Sequence, residues 1–201
     1  MPIKEDWLSQ VEEEILEPDM PVIDPHHHLW DRPDGRYMVE DLQVDVATGH
    51  NIVSTVFVEC ASMYRSDGPE HLRPVGETEF VNSVAAKCAQ QDSPTTPRIC
   101  EGIVGHADLT LGAEVDEVLD AHIAVAPERF RGVRHSVSWD ASEDVRNSNV
   151  NPPRGLLGDK RFREGVRRLS ARNLSFEAWL YHPQISELTE LARACPEATI
   201  V

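Results

Sequence analysis

Positive charge is scarce in this chain. Its 201 residues hold 19 Lys and Arg against 35 Asp and Glu, a formal net charge of −16. Such a surface keeps a chain soluble and repels nucleic-acid backbones and anionic membranes, without dictating a fold. Cysteine is scarce too. Cys60, Cys88, Cys100 and Cys195 form no C-x-x-C pair and no zinc-finger grouping with histidine, which removes the disulfide-scaffold and zinc-finger readings. Cys60 and Cys100 lie in apolar runs, where a thiol acts as a small hydrophobe, and all four are read as reduced thiols of a cytoplasmic protein. No stretch approaches the roughly 18 apolar residues of a membrane span, and "MPIKEDWLSQVEEE" has no signal-peptide core. No G-x-G-x-x-G follows a strand-like run, so the usual dinucleotide signature is missing, and there is no internal repeat or low-complexity tract.

What is present is an alternation. "KEDWLSQVEEEIL" predicts an amphipathic helix within residues 1–19. Apolar strand-like runs follow at 21–24, 51–62, 98–109, 129–139, 174–183 and 198–201, and helical patterns at 76–91, 112–127, 160–173 and 184–196. Strand–helix alternation predicts an α/β fold with a parallel sheet. The polar segment 140–159 predicts a lid or a mobile loop. Polar residues gather at the carboxyl ends of the runs, namely His26, His28, Glu59, His106, Arg134, His135 and His182. That placement favours a (β/α)8 barrel over an open doubly wound sheet. Residues 128–172 hold more than half of all Lys and Arg. They form either a region attractive to an anionic substrate or a solvated helix face.

The stretch "MPVIDPHHHLWD" (20–31) sets three histidines behind the first apolar run. Strand side chains alternate, so Asp24, His26 and His28 share one face and His27 takes the other. Two imidazoles two residues apart can hold one ion, zinc at about 2.0–2.1 Å first, with manganese, iron or cobalt also suited to neutral imidazole. H-x-H alone is a weak motif, equally read as surface histidines. Its place at the end of the first strand of a βα series is what favours metal. A catalytic zinc takes three protein ligands, so the pair is not a whole site. His50 and His71 fall in loops, and His122 is expected on an exposed helix face. His182 in "YHPQ" is the best placed of the rest to touch ion or substrate, with Gln184 of the same motif beside it. Glu59 ends a strand expected to be buried, where a carboxylate requires a cation or donor: a metal, a substrate or a neighbouring Arg. Arg134, and after it Arg65 or Arg73, can grip a substrate carboxylate through a bidentate fork, although an ordinary salt bridge is the commoner fate.

"VIDPHHHLWD" resembles the opening of the amidohydrolase-related (family 2) hydrolases of the amidohydrolase superfamily. "VFVECASMYR", "HLRPVGETEFVNSVAA", "GIVGHADL", "RFRGVRH" and "FEAWLYHPQISELTELARACPEATIV" follow in that family's order, from about residue 5 to Val201. "HLRPVGETEFV" and "YHPQ" point to its lactonase-like branch. The resemblance implies a metal-dependent (β/α)8 barrel, with His26 and His28 at the strand-one ligand positions. It also implies relatives such as sugar-acid lactonases, a pyrone-dicarboxylate lactonase and an aminocarboxymuconate-semialdehyde decarboxylase. The family's later histidine and its strand-eight aspartate, the expected general base, fall beyond Val201. The expectation is therefore a single partial barrel domain over 1–201, with βα units one to five and the start of strand six over 20–201, belonging to a longer enzyme. Its expected work is hydrolysis of a small anionic lactone or similar cyclic ester, with zinc or manganese as cofactor and Glu59, Arg134, His182 and Gln184 against substrate. Three other readings stay open: a decarboxylase, a metal-independent lactonase driven by arginines, and an inactive partial barrel or edge-pairing module. Homo-oligomerisation is left open as well.

Overall fold

The computed structural model describes residues 5–11, 13–33, 35–90, 96–145 and 151–201. Six strands form one parallel sheet: β1 (Val22–His27), β4 (Ile52–Val58), β5 (Arg98–Gly105), β6 (Phe130–Arg134), β7 (Ser175–Glu177) and β8 (Thr199–Ile200). Their order across the sheet is their order along the chain. A doubly wound sheet reverses direction at a switch point. Strict succession instead curls the sheet, and the result is an incomplete TIM barrel with its helices outside. The covering helices are α3 (Val75–Ala89), α4 (Asp116–Val125), α5 (Lys160–Ser170) and α6 (Ile185–Ala194). Asp159 caps α5, its Oδ1 accepting from the N–H groups of Arg161 and Phe162, both at 2.9 Å.

Register decides which side chains reach the barrel interior. Val133 pairs with Phe176 and Arg134 with Glu177 across β6 and β7. The period of two then sends Val133 and Phe176, both fully buried, to the helical layer with Phe162 and Leu169. Arg134 and Glu177 go together to the opposite face. Apart from Arg134, which is buried, much of the arginine-rich run lies at an ion-paired surface. Arg161 meets Glu114 at 3.0 Å, and Arg172 meets Asp116 and Asp120, each at 2.8 Å. Such exposed pairs stabilise by about 0–1 kcal/mol each.

Several expectations change. The N-terminal helix, α1, spans only Glu5–Leu8. Trp7, Val11 and Leu16 of the expected apolar stripe are exposed, so these described residues give a longer helix little packing to hold it. A hairpin, β2 (Trp30–Arg32) with β3 (Gly35–Tyr37), and a short helix α2 (Val39–Val46) occupy a segment with no period to announce them. Three-residue strands are too short to alternate legibly, and Leu42 alone of α2 is buried. Within the 140–159 segment, residues 146–150 lie outside the described residues, while Leu156 and Leu157 are core residues. His122 is fully buried, not exposed. Its Nδ1 meets Thr78 Oγ1 at 2.8 Å, its Nε2 meets the His106 carbonyl at 3.0 Å, and its ring stacks on Phe130.

Two expected outcomes follow. A methyl at Gly165 of α5 would overlap the Leu109 carbonyl. Alanine is the better helix former by about 1 kcal/mol, yet Gly165→Ala should destabilise by about 1–3 kcal/mol in urea titration through overpacking. Burial pushes His122 down from 6.5 to about 4. Below pH 6.5 the unfolded chain binds the proton first, so this group's contribution is present above 6.5 and lost as pH falls towards 4. His122→Gln should flatten that part of the stability–pH curve, and an unchanged curve would refute the assignment.

Candidate active site

The strand-one histidines converge. His26 Nε2 and His28 Nε2 stand 3.2 Å apart, with their rings edge to face. His28 Nδ1 lies 2.7 Å from the Val58 carbonyl. A carbonyl only accepts, so Nδ1 carries the proton and Nε2 presents its lone pair to His26. Trp30 stacks on the outer side of the His28 ring. The His26 backbone N–H donates to Asp24 Oδ1 at 3.1 Å, pinning the end of β1. His27 faces the other way, as alternation requires, buried with Nε2 at 2.9 Å from Thr55 Oγ1 and its edge on Phe57.

Arg134, at the end of β6, supplies the cation. Its Nε donates to Glu59 Oε1 at 2.8 Å, its Nη2 donates to the Glu59 carbonyl, and its Nη1 lies 3.5 Å from His26 Nε2. The Trp179 ring covers its flat face at 4.7 Å. Both partners of the pair are nearly sealed from water, with side-chain exposures of 5% for Arg134 and 12% for Glu59. These groups bound a cavity of about 380 Å³ lined by His26, His28, Arg134, Glu177, Trp179 and Val201. Beyond β1 a second hollow of about 420 Å³ is lined by Asp24, His27, Trp30, Tyr37 and Asp45, with the same two histidines between.

Burial first and Arg134 second lower the pKa of His26, and burial lowers that of His28. Both are thus held in the neutral form that metals bind. Burial raises the Glu177 carboxyl against the pull of Arg134. The histidine pair fits a divalent ion: two nitrogens at about 2.0–2.1 Å from one zinc in tetrahedral geometry stand about 3.3 Å apart, against 3.2 Å here. The His28–Val58 bond is the kind of outer-sphere anchor that ligating imidazoles carry. Among the described residues no group of three or more His, Cys, Asp or Glu completes a site. The described residues offer two ligands, with the Arg134 charge beside them paired to Glu59.

Of the residues singled out from the sequence, His26, His28, Glu59 and Arg134 come together. His182 and Gln184 do not join them. His182 is exposed on a single turn, and Gln184 is buried with its amide bonded to backbone. Its Nε2 donates to the Val137 carbonyl at 2.7 Å, and its Oε1 accepts from Trp139 and Tyr181 N–H at 3.0 and 3.2 Å. Arg65 pairs with Glu79 on the surface. His106 Nδ1 lies 3.1 Å from the Arg134 carbonyl, and His135 accepts the Leu109 N–H and packs on Phe162. Glu177 and Trp179 were not foreseen. The signal was the acidic residue in the apolar run "SFEAW", which by alternation must face the interior.

Glu59→Ala should cost about 3–5 kcal/mol, because it strands a buried guanidinium. Adding Arg134→Met should recover part of that loss in the same denaturation assay. If Glu59→Ala costs less than about 1 kcal/mol, the value typical of a surface pair, the pair is not buried as described.

A family model for amidohydrolases matches residues 23–201. An uncharacterized protein, y4mH, from Sinorhizobium fredii is 30% identical over 205 residues, covering 91% of this chain and 61% of the relative. A Burkholderia multivorans amidohydrolase structure with bound zinc aligns with a TM-score of 0.61 at 20% identity, over 89% of this chain and 55% of that one. A Pseudomonas putida structure named for 2-pyrone-4,6-dicarboxylic acid hydrolysis aligns at 0.55 and 16% identity, over 89% of this chain and 55% of that one. At such identities the structural likeness speaks for the fold alone, and the chain spans little more than half the length of these proteins. The sequential parallel strands, the convergent H-x-H pair and the match over nearly all of its residues make this chain a member of the amidohydrolase family.

Proposed function

We propose that this chain carries the first part of the active site of a hydrolase that opens a small anionic lactone or similar cyclic ester. The observation that carries the reading is the His26–His28 pair, its Nε2 atoms 3.2 Å apart at a cavity that also holds Arg134. His26 and His28 would hold a divalent ion, zinc first and manganese second, which polarises an ester carbonyl or lowers the pKa of bound water to near 7. The zinc in the Burkholderia protein and the anionic pyrone ring in the name of the Pseudomonas protein support the same reading.

The chain's own residues divide the remaining work. His28 keeps its proton on Nδ1, bonded to Val58, and so leaves Nε2 free towards the cavity. Arg134 commits Nε and Nη2 to Glu59. Both N–H groups of Nη1 and the second N–H of Nη2 remain uncommitted to Glu59, so the Nη1–Nη2 edge is the one offered to a substrate carboxylate. Trp179 supplies a flat apolar wall on which a ring can lie. Glu177, with its pKa raised by burial, is placed to carry a proton at the cavity wall. The general base is assigned to no residue of this chain. A second reading, metal-free ring opening assisted by Arg134, is favoured by the guanidinium 3.5 Å from His26 Nε2, a charge that opposes a cation there.

The test is a panel of anionic and neutral lactones on the protein at its relatives' full length, before and after exhaustive chelation. Turnover should prefer anionic lactones, fall on chelation, and drop at least about 100-fold in the His26→Ala, His28→Ala double variant. Unchanged turnover in the double variant would overturn the metal role. Turnover that survives chelation but is lost in Arg134→Met would support the second reading.

A further inference from the structure

Glu77 stands outside the cavity, in the first turn of α3, and is 1% exposed. Its Oε1 accepts from the N–H of Ser62 at 2.8 Å and of Cys60 at 3.1 Å, and from Cys60 Sγ at 3.5 Å. Its Oε2 is buried and has no partner among the described residues. A carboxyl sealed into a helix terminus is costly, and this one is aimed at a segment that is itself strained. Ala61 and Met63 both take left-handed backbone, with φ of 57° and 55°. Such backbone is unfavourable in a residue with a side chain. Two such residues out of three persist only where their surroundings hold them.

The holding contacts come from β2 and from the start of α3 and the turn before it. Arg32 donates to the Cys60 carbonyl. Arg65 N–H donates to the Arg73 carbonyl at 2.9 Å. Gly76 lets α3 approach so closely that a methyl there would stand 2.6 Å from Arg65 N and 2.8 Å from Met63 O. The upstream end of the segment is Glu59, whose N–H donates to the Val104 carbonyl at 2.8 Å. Its side chain and carbonyl together take two of the three donor groups of Arg134.

We propose that Glu77 is a positioning residue for the cavity: gathering the Cys60 and Ser62 N–H groups on one oxygen, it fixes Glu59 and through it the aim of Arg134 Nη1 at the His26–His28 pair. The proposal rests on reading that cavity as the active site, but its geometry can be tested without a ligand. Without Glu77, two buried N–H groups lose their acceptor and the left-handed pair relaxes. Glu59 then shifts, and Arg134 keeps its charge while losing its direction. Glu59, Cys60 and Tyr64 are the charged and titratable groups that act on the carboxyl. Burial raises the Glu77 pKa to about 7, against the stabilising Ser62 N–H. Glutamine, which keeps an accepting oxygen and carries no charge, is therefore the conservative replacement.

The experiment follows hydrogen exchange at the Arg134 Nε–H by side-chain ¹⁵N NMR in the 201-residue chain. Glu77→Ala should speed that exchange about ten-fold, the consequence of losing a buried acceptor, and Glu77→Gln should restore it to near the parent value. Val75→Ala, a buried truncation in the same turn, serves as a control for lost stability. It should leave the Arg134 signal unchanged. If Glu77→Ala does not fold, Glu77→Asp takes its place, with faster exchange expected because the shorter arm cannot reach both N–H groups. Exchange unaltered in Glu77→Ala or Glu77→Asp, or accelerated equally by Val75→Ala, would overturn the proposal. No turnover enters the measurement, so its failure and failure of the hydrolase reading are separate events.

Discussion

The bond from His28 Nδ1 to the Val58 carbonyl is the interaction on which the site depends. It ties the end of β1 to the end of β4, and it decides which nitrogen of His28 keeps a lone pair. Without it the ring could present either nitrogen, and convergence with His26 would be accidental. With it, Nε2 is aimed at its neighbour, and the two lone pairs meet unless a proton or a cation lies between them. Every other group at the cavity answers to that concentration of donors. Burial first and Arg134 second lower the His26 pKa, Glu59 fixes Arg134, and Trp179 shields its face.

The sheet makes this possible through register. Arg134 and Glu177 are cross-strand partners, one step beyond Val133 and Phe176. A slip of one residue would turn the charged pair into the helical layer and the aromatic into the cavity. The large apolar residues outside therefore hold the polar residues inside. The buried Glu59–Arg134 pair is weak evidence for stability, since desolvation offsets most of its attraction. Its more useful property is direction, because it leaves one guanidinium nitrogen facing the histidines.

Much of this was legible in the sequence. The strand–helix rhythm pointed to a parallel α/β sheet because β-branched runs such as "IVSTVFV" and the helical stripes differ in period, and the polar residues at the strands' carboxyl ends pointed to the barrel. Alternation separated His27 from His26 and His28. The limits were equally physical. Glu59 could be matched to a cation, but only the fold chose Arg134, 75 residues away. Gln184, in the "YHPQ" stretch, was expected against substrate. Its amide instead ties the loops after β6 and β7, a backbone role that no residue pattern announces. His122 was expected to be exposed from its mid-helix position, yet it is buried against Phe130. Glu77 was invisible because its partners are backbone N–H groups, which carry no sequence signature.

The most direct test of the convergence of His26 and His28 is ¹⁵N NMR of the histidine rings during a zinc titration of the chain. The account predicts that the Nε2 resonances of both residues shift together to a single endpoint at one equivalent, while His28 Nδ1 stays protonated and His27 does not move. A shift confined to one of the two rings, or binding through His28 Nδ1, would contradict it.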